Sequence, residues 1–312
     1  MSCLFVCAGL SPALQRTWTL PALHAGKVNR IGRVEITASG KPVNTARAAR
    51  ALKATPTVCC PVGGEAGAAW LRHLHLEGGI EVVPVAVSDP MRTCATVFEQ
   101  TGAVITELVE EAACPVEHER RQWQAKVVEL AGPAPILVLA GNLPPGVPAT
   151  TYADIIEACR REDLITVVDA SGPAVAEAIR AGVTLLKMNR EEWERTAPLI
   201  REPPMRCVIT DGPNKIVWTE HGQTRECRPP NLTARNTTGC GDAFTAGLAL
   251  AFARTRNLDQ AVRWGIACGS AAAVTDLPGE LDPAVAATWE QDLGTGNSAQ
   301  PRFRRVRHGQ RP

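Results

Sequence analysis

The chain has 312 residues, 45% of them apolar and 21% charged, so it can bury a large hydrophobic core and has the composition of an ordinary globular protein. Its formal net charge of +1 argues against a nucleic-acid partner, and no apolar run approaches the length of about 20 residues that spans a bilayer. The apolar start, residues 3–8, has no basic segment before it, which predicts a core strand of a cytoplasmic protein rather than a signal peptide.

Apolar runs alternate with helical patterns along most of the chain, which predicts parallel β-α-β units. The predicted strands cover residues 3–8, 57–62, 81–86, 136–140, 164–169, 184–187, 216–219 and 224–227, and a further strand ends within 208–212. The predicted helices cover residues 68–76, 117–130, 150–161, 174–181 and 258–275, and two others begin near Val43 and Ala243. The pattern indicates one α/β domain over residues 1–293, with helices on both faces of a mostly parallel sheet.

Two segments of mixed polarity interrupt this pattern, at residues 16–37 and 92–108. Their alternation of polar and apolar side chains predicts strands that are exposed on one face. At the other end of the chain the composition turns to Gly, Ser, Gln and Arg, which predicts a disordered basic tail over residues 294–312.

The stretch Asn236-Thr237-Thr238-Gly239-Cys240-Gly241-Asp242 precedes the apolar, alanine-rich run that starts at Ala243. Its glycines allow a tight turn into a helix, whose first amides can surround an anion such as a phosphate. Asp242 would then stand beside the anion, where a carboxylate can take a proton from an attacking alcohol. The stretch therefore predicts phosphoryl transfer, with Gly239, Cys240, Gly241 and Asp242 as catalytic residues. The plainer interpretation is that Asp242 is a helix N-cap.

The eleven cysteines are predicted to be buried free thiols, because their number is odd and no Cys-x-x-Cys pair occurs. Cys240 is the exception, since a position at a helix N-terminus favours the reactive thiolate. The glycine fingerprint of dinucleotide-binding proteins is missing, which disfavours a nicotinamide oxidoreductase.

The loop resembles the C-terminal signature of the PfkB (ribokinase-like) carbohydrate kinases, Asp/Asn-Thr-x-Gly-Ala-Gly-Asp. Other stretches resemble motifs of the same family, in the same order, over residues 3–292. They are residues 9–15, ending in Gln15; Ser39-Gly40-Lys41-Pro42-Val43-Asn44; Gly141-Asn142-Leu143-Pro144-Pro145-Gly146; Lys187-Met188-Asn189-Arg190-Glu191-Glu192; and Thr210-Asp211-Gly212. The resemblance implies a three-layer αβα fold in which residues 16–37 and 92–108 form a small β lid over the sugar site.

The resemblance also implies which residues contact the substrate, a sugar phosphate held under the lid. They are Gln15, Lys27, Gly40, Lys41, Asn44, Arg92 and Asn142. Plainer interpretations remain open: Lys27 as a solvated hairpin tip, Asn44 as a helix cap and Arg92 as a surface arginine.

For the nucleotide, the resemblance implies that ATP contacts Lys187, Asn189, Glu192, Thr210 and Gly212. Asn189 and Glu192 lie three residues apart at a helix start and could hold Mg²⁺ through water, as this cation prefers. The same spacing is that of a capping box, and both interpretations can hold together.

Leu-Pro-Pro-Gly and Arg92-Thr93-Cys94 resemble the 1-phosphofructokinase and tagatose-6-phosphate kinase branch, which implies fructose 1-phosphate as the first-choice substrate. Tagatose 6-phosphate and other sugars remain alternatives. Gln15, Ser39, Pro42, Asn142 and Lys215 depart from the family pattern, so a non-catalytic sugar-phosphate-binding regulator is a further alternative. The lids of relatives often pair between subunits, which suggests a homodimer.

Overall fold

The computed structural model describes residues 3–101, 104–295 and 304–305. The strands are β1 Leu4–Ala8, β2 Ala13–Leu20, β3 Arg33–Ser39, β4 Thr55–Val62, β5 Glu81–Ala86, β6 Thr93–Glu99, β7 Val104–Val109, β8 Ile136–Ala140, β9 Ile165–Asp169, β10 Leu185–Asn189, β11 Arg206–Asp211, β12 Lys215–Glu220, β13 Gln223–Cys227 and β14 Arg304–Arg305. The helices are α1 Lys41–Ala51, α2 Gly64–Glu77, α3 Glu117–Ala131, α4 Thr151–Ala158, α5 Pro173–Arg180, α6 Arg190–Thr196, α7 Cys240–Thr255, α8 Leu258–Ala272 and α9 Pro283–Thr295.

A ten-stranded sheet forms the middle layer, in the order β14-β13-β12-β11-β10-β9-β8-β1-β4-β5. The seven neighbouring strands β11, β10, β9, β8, β1, β4 and β5 are parallel to one another. At the other edge, β12, β13 and β14 are added as antiparallel neighbours. The fully apolar strand β8 is buried along its whole length, as a strand covered on both faces must be.

Side chains that alternate along each central strand divide the core into two clusters, one on each face of the sheet. In β1, Phe5 and Cys7 pack with α1, α2, α7, α8 and α9, whereas Val6 and Ala8 pack with α3, α4 and α5. This alternation follows from the period of two along a strand. The result is the predicted three-layer α/β fold.

A second sheet of four strands, in the order β3-β2-β6-β7, forms the predicted lid. Residues paired across neighbouring strands lie on the same face, and Trp18 is paired with both Val34 and Val97. The other face carries Gln15, Thr96 and Glu107. The lid therefore has one mainly apolar face and one polar face.

Several boundaries differ from those predicted. Helix α7 begins at Cys240 rather than Ala243, because Gly239 turns the chain and the next residues already have helical geometry. Helix α8 ends at Ala272, α4 is shorter than predicted, and the residue pattern does not predict α9. Most of the tail predicted over residues 294–312 lies outside the described residues. Of its described part, Arg304–Arg305 forms β14 and pairs with β13.

In the part of the chain that the structure describes, no helix has both the length and the apolar character needed to cross a bilayer.

Candidate active site

The glycine loop enters α7 through a backbone conformation that only glycine adopts readily. Gly239 is the N-cap with φ 79°, and a Cβ on it would lie 2.4 Å from the backbone nitrogen of Gly279. Ala243 N–H donates to Gly239 O, but the amides of Gly241 and Asp242 have no hydrogen-bond acceptor within the described ranges. The helix start therefore presents the free amides that an anion needs.

Asp242 lies in the first turn of α7 and is 6% exposed. Its Oδ2 accepts a hydrogen bond of 2.8 Å from Asn44 Nδ2, and its Oδ1 has no hydrogen-bond partner among residues 3–101, 104–295 and 304–305. The N-cap position belongs to Gly239, so the plainer interpretation of Asp242 as a cap is wrong. One oxygen of a buried carboxylate is thus left free for a donor.

The surroundings of Asp242 raise the pKa of its carboxyl to about 6. Burial is the largest cause, and the charge of Asp169 adds to it; Lys41, Lys187 and the hydrogen bond from Asn44 act in the opposite direction. A carboxylate with such a pKa is ionised at neutral pH and is a stronger base than an exposed aspartate.

Asp169, the last residue of β9, is fully buried and holds two lysines. Its Oδ1 accepts from Lys41 Nζ at 2.7 Å, and its Oδ2 accepts from Lys187 Nζ at 3.0 Å and from Thr245 Oγ1 at 2.7 Å. Burial raises the pKa of Asp169, but the two ammonium groups outweigh burial and bring it well below its usual range. The cluster holds two lysines against one buried carboxylate at the carboxyl end of β9, the edge at which ligands of parallel sheets bind.

The two lysines lie on different sides of this cluster. Lys41, the first residue of α1, also donates to Glu192 Oε1 at 2.8 Å; burial lowers its pKa, but the carboxylates of Asp169, Glu192 and Asp242 together raise it. Lys187 lies under the glycine loop, since a Cβ on Gly241 would come within 2.9 Å of its Nζ. Lys187 therefore places its charge directly beside the free amides.

Asn189 and Glu192 form the capping box that their spacing allows. Glu192 N–H donates to Asn189 Oδ1 and Asn189 N–H donates to Glu192 Oε2, each at 2.8 Å. Both oxygens of Glu192 are thus engaged, and within the described part of the chain no group of three His, Cys, Asp or Glu side chains could hold a metal ion. The residues fit only an ion held through water and nucleotide phosphates, which is the coordination that Mg²⁺ favours.

Besides Lys41 and Asn44, three more of the residues predicted to bind the sugar phosphate are already engaged in the protein. Gln15 is buried in β2 and donates to Thr96 Oγ1 at 2.9 Å. Asn142 Oδ1 accepts from Ser171 N–H at 2.8 Å, just beyond β9. Arg92 donates to main-chain carbonyl groups, among them Ser11 O at 2.7 Å, so it is not a solvated surface arginine.

The remaining predicted residues occupy turns and element ends. Gly40 is the N-cap of α1 with φ 111°. Thr210 in β11 is the neighbour of Asn189 in β10, with which it is paired across the two parallel strands. Gly212 lies in the turn from β11 to β12 and has φ 48°. Lys27 is exposed in the connection between β2 and β3, and the structure does not bring it into contact with Asp242.

The expectation that Cys240 carries a reactive thiolate is wrong. Burial and the nearby charge of Asp242 raise the pKa of its thiol to about 12. The thiol donates to Asn236 O, so it remains neutral and occupied. The helix N-terminus is too weak a source of positive potential to offset burial and the carboxylate.

Sequence reasoning missed three buried polar residues of the site: Asp169, Thr245 and Arg47. Asp169 had a signal, because it closes a fully apolar strand at the end where ligands bind. Arg47 had one as well, since it is the charged residue of an otherwise apolar or small-residue helix segment, one turn after Asn44. Thr245 has no comparable signal in the sequence.

The sequence pattern described as pfkB family carbohydrate kinase matches residues 13–280 of the chain. The chain is 28% identical over 280 residues to the ATP-dependent 6-phosphofructokinase isozyme 2 of Escherichia coli (strain K12), covering 84% of this chain and 90% of that protein. It is 26% identical over 283 residues to the 1-phosphofructokinase of Vibrio cholerae serotype O1, covering 86% and 88% of the two chains. The crystal structure of Escherichia coli phosphofructokinase-2 in complex with potassium superposes with a TM-score of 0.82 at 25% identity, covering 93% of this chain and 98% of the other.

Proposed function

The chain belongs to the pfkB family of carbohydrate kinases, and we propose that it transfers the terminal phosphoryl group of ATP to the free primary hydroxyl of fructose 1-phosphate, giving fructose 1,6-bisphosphate. Two curated relatives of similar length are named as kinases of a fructose monophosphate, which supports a phosphosugar as the acceptor. The Leu-Pro-Pro-Gly and Arg-Thr-Cys stretches support the branch of 1-phosphofructokinases and tagatose-6-phosphate kinases, in which fructose 1-phosphate is the first-choice substrate.

The observation that carries this proposal is the free Oδ1 of Asp242. The other oxygen is held by Asn44, and the buried carboxylate has a pKa raised to about 6. Asp242 would accept the proton of the sugar hydroxyl through Oδ1 as that oxygen attacks phosphorus, and the bond from phosphorus to the bridging oxygen of ADP would break.

The charge on the transferred group would be stabilised by the start of α7. The amides of Gly241 and Asp242 are free, and the ammonium group of Lys187 lies beneath Gly241. Donors that are fixed before reaction stabilise developing charge without reorganising, and they provide a large part of the rate in phosphoryl transfer.

The nucleotide would lie toward β10 and β11, near Asn189, Glu192, Thr210 and Gly212. Mg²⁺ held through water beside Asn189 and Glu192 would neutralise charge on the nucleotide phosphates. Lys41 and Asp169 keep Glu192 in place, because Lys41 bridges the two carboxylates.

The sugar phosphate would lie between the polar face of the lid and α1. The lid reaches the glycine loop in this structure, since Thr238 Oγ1 donates to Glu107 Oε1 at 3.3 Å. Gln15 would accept a hydrogen bond from a sugar hydroxyl through Oε1, while its Nε2 continues to donate to Thr96. Lys27, Lys41 and Arg92 are the candidates for the substrate phosphate; the main-chain bonds of Arg92 and the carboxylates around Lys41 would have to be shared or exchanged.

We further propose a homodimer that forms through the apolar face of the lid and works in the cytoplasm. Val34 and Leu108 on this face are 46% and 55% exposed, which favours a partner surface. All eleven cysteines are free, as expected of a reducing compartment. A Leu108→Glu variant should sediment as a monomer, and a monomeric parent protein would contradict the proposal.

The test of the reaction is ADP release, measured with a coupled assay across a panel of sugars and sugar phosphates. Fructose 1-phosphate should give the highest kcat/KM. The Asp242→Asn variant should lose about 10²–10⁴-fold in turnover while still binding ATP, whereas Asp163→Asn, an exposed control, should not. Near-normal turnover of Asp242→Asn would refute the assignment of the base, and ligand binding without any ADP release would favour a regulator.

A further inference from the structure

Arg47 is a buried cation that the proposed reaction does not use. It lies on α1, is 2% exposed and sends its guanidinium into four segments of the chain. Its Nε donates to the carboxylate of Glu77 at 2.8 and 3.1 Å, its Nη2 donates to Ala38 O, and its Nη1 donates to Asn44 Oδ1 at 3.1 Å and to Pro278 O at 3.2 Å. Its charge is balanced by Glu77, so its remaining donors are free to orient neighbours.

The contact with Asn44 determines which way that amide points. A guanidinium has only donors, so the atom of Asn44 that faces it must be the oxygen. The amide nitrogen then necessarily faces Asp242, and it donates to Oδ2 at 2.8 Å. Ser39 Oγ lies 3.4 Å from the same Asn44 oxygen and adds a second, longer contact.

We propose that Arg47 is a positioning residue for phosphoryl transfer, which acts by locking the amide of Asn44 so that Asp242 presents Oδ1 to the acceptor hydroxyl. The proposal rests on the proposed role of Asp242 as the base. It also gives Asn44 a second role, because its amide oxygen accepts from Arg47 while its amide nitrogen donates to Asp242.

The hydrogen bond from Asn44 stabilises the ionised form of Asp242 and so lowers the pKa of the base. The other groups that face this carboxyl are Asp169 from β9, Lys41 from α1 and Lys187 from β10, together with the thiols of Cys7 and Cys240. Without Arg47 the amide is free to turn its oxygen toward the carboxylate, which would favour the protonated form. The base would then titrate at a higher pH.

Arg47 could also affect the reaction through the position of the glycine loop at Gly239. Its bond to Pro278 O holds the turn at Gly279, where a Cβ would lie 2.3 Å from Asn44 O, and Gly239 packs against the same turn. A displaced loop would lower kcat equally at every pH, whereas a turned amide would change the shape of the pH profile. The profile therefore separates the two effects.

The experiment compares Arg47→Lys with the parent protein by measuring kcat/KM from pH 5 to 9. Lysine keeps the charge beside Glu77 but lacks the planar fork that reaches Asn44 and Pro278 together. The acid limb of the profile should move up by about 1 pH unit, the size expected from losing one hydrogen bond to a charged group. The sugar phosphate titrates in the same range but contributes equally to both proteins.

The matched control is Arg50→Lys, one turn along the same helix. Arg50 donates to Gly78 O at 2.6 Å and has no bond to Asn44, so its profile should coincide with that of the parent. Asn44→Ala removes the amide itself and should move the acid limb as Arg47→Lys does. Combining the two changes should move it no further.

An Arg47→Lys profile that keeps the parent's shape, at equal or uniformly lower activity, would overturn the proposal. If Arg47→Lys does not fold, an unchanged acid limb in Asn44→Ala would overturn it instead. Asp242→Asn separates this failure from failure of the proposed function: if that variant is inactive but the acid limb never moves, only the role of Arg47 is wrong.

Discussion

The buried charge of Asp242 should lower the free energy of unfolding of the protein. Replacing Asp242 by asparagine should show the size of this effect. The asparagine has nearly the same shape and can still accept the hydrogen bond from Asn44. It removes the charge that burial and the neighbouring Asp169 disfavour, the two causes that raise the pKa of Asp242 to about 6. An aspartate in an unfolded chain has a pKa of about 3.9.

The difference of about 2 pKa units corresponds to a free energy of about 2–3 kcal/mol, at 1.36 kcal/mol for each unit. Because the folded-state pKa is the higher one, the protonated group stabilises the fold below about pH 4. That contribution is lost as the pH rises through 6. The Asp242→Asn variant should therefore be about 2–3 kcal/mol more stable than the parent at pH 8, and less than about 1 kcal/mol more stable at pH 4.5.

Urea unfolding of both proteins at pH 8 and pH 4.5 measures the change in this stability difference with pH. The titration of groups that do not interact with Asp242 is the same in both proteins and cancels. Asp163→Asn is the control, because this carboxylate is 76% exposed and its ion pair with Arg161 should contribute little to stability. The reasoning is refuted if Asp242→Asn is no more stable than the parent at pH 8, or if its advantage is the same at both pH values. Gain of stability with loss of activity would identify a group kept for function.

Three other changes test the surroundings of this base. Gly239→Ala should lower both activity and melting temperature strongly, because its Cβ would lie 2.4 Å from the backbone nitrogen of Gly279. The control is Gly222→Ala, which is also at positive φ but in open space; it should lower only the melting temperature, and by less. Asp169→Asn should destabilise the protein by about 3–5 kcal/mol in urea unfolding, since two lysines lose their shared buried carboxylate; a loss below about 1 kcal/mol would contradict the cluster. Cys240→Ala should remain active, and the parent thiol, with its pKa raised to about 12, should react slowly with iodoacetamide at pH 7.5; modification at the rate of an exposed thiolate would count against this environment.

Most of the fold could be predicted because its signals are local. The apolar runs at Ile136–Ala140 and Glu81–Ala86 coincide with β8 and β5, and the alternation of strands and helices is enough to specify a parallel sheet. Helix ends were less predictable. α7 starts three residues before the apolar run because Gly239 adopts a left-handed conformation, which is a property of the packed turn at Gly279.

The candidate site divides in the same way. The glycine loop, Asp242 and Asn44 could be selected from short motifs, because each motif contains the conformational or chemical requirement within a few residues. The capping box of Asn189 and Glu192 is local as well, and both of its hydrogen bonds are present. The hydrogen-bond partner of each of these side chains could not be predicted, because the partners come from distant parts of the chain.

The sequence by itself determined the α/β architecture, the loop that begins α7 and the identity of the acidic residue beside it. Only the tertiary structure decided that Asp169 joins Lys41 to Lys187, and that Arg47 turns the amide of Asn44 toward Asp242. Asp169 is 128 residues from Lys41, and Asn44 is 198 residues from Asp242. Hydrogen bonds and ion pairs join atoms that lie a few ångströms apart in space, so they depend on how the sheet brings these segments together and leave no periodic signal in the sequence.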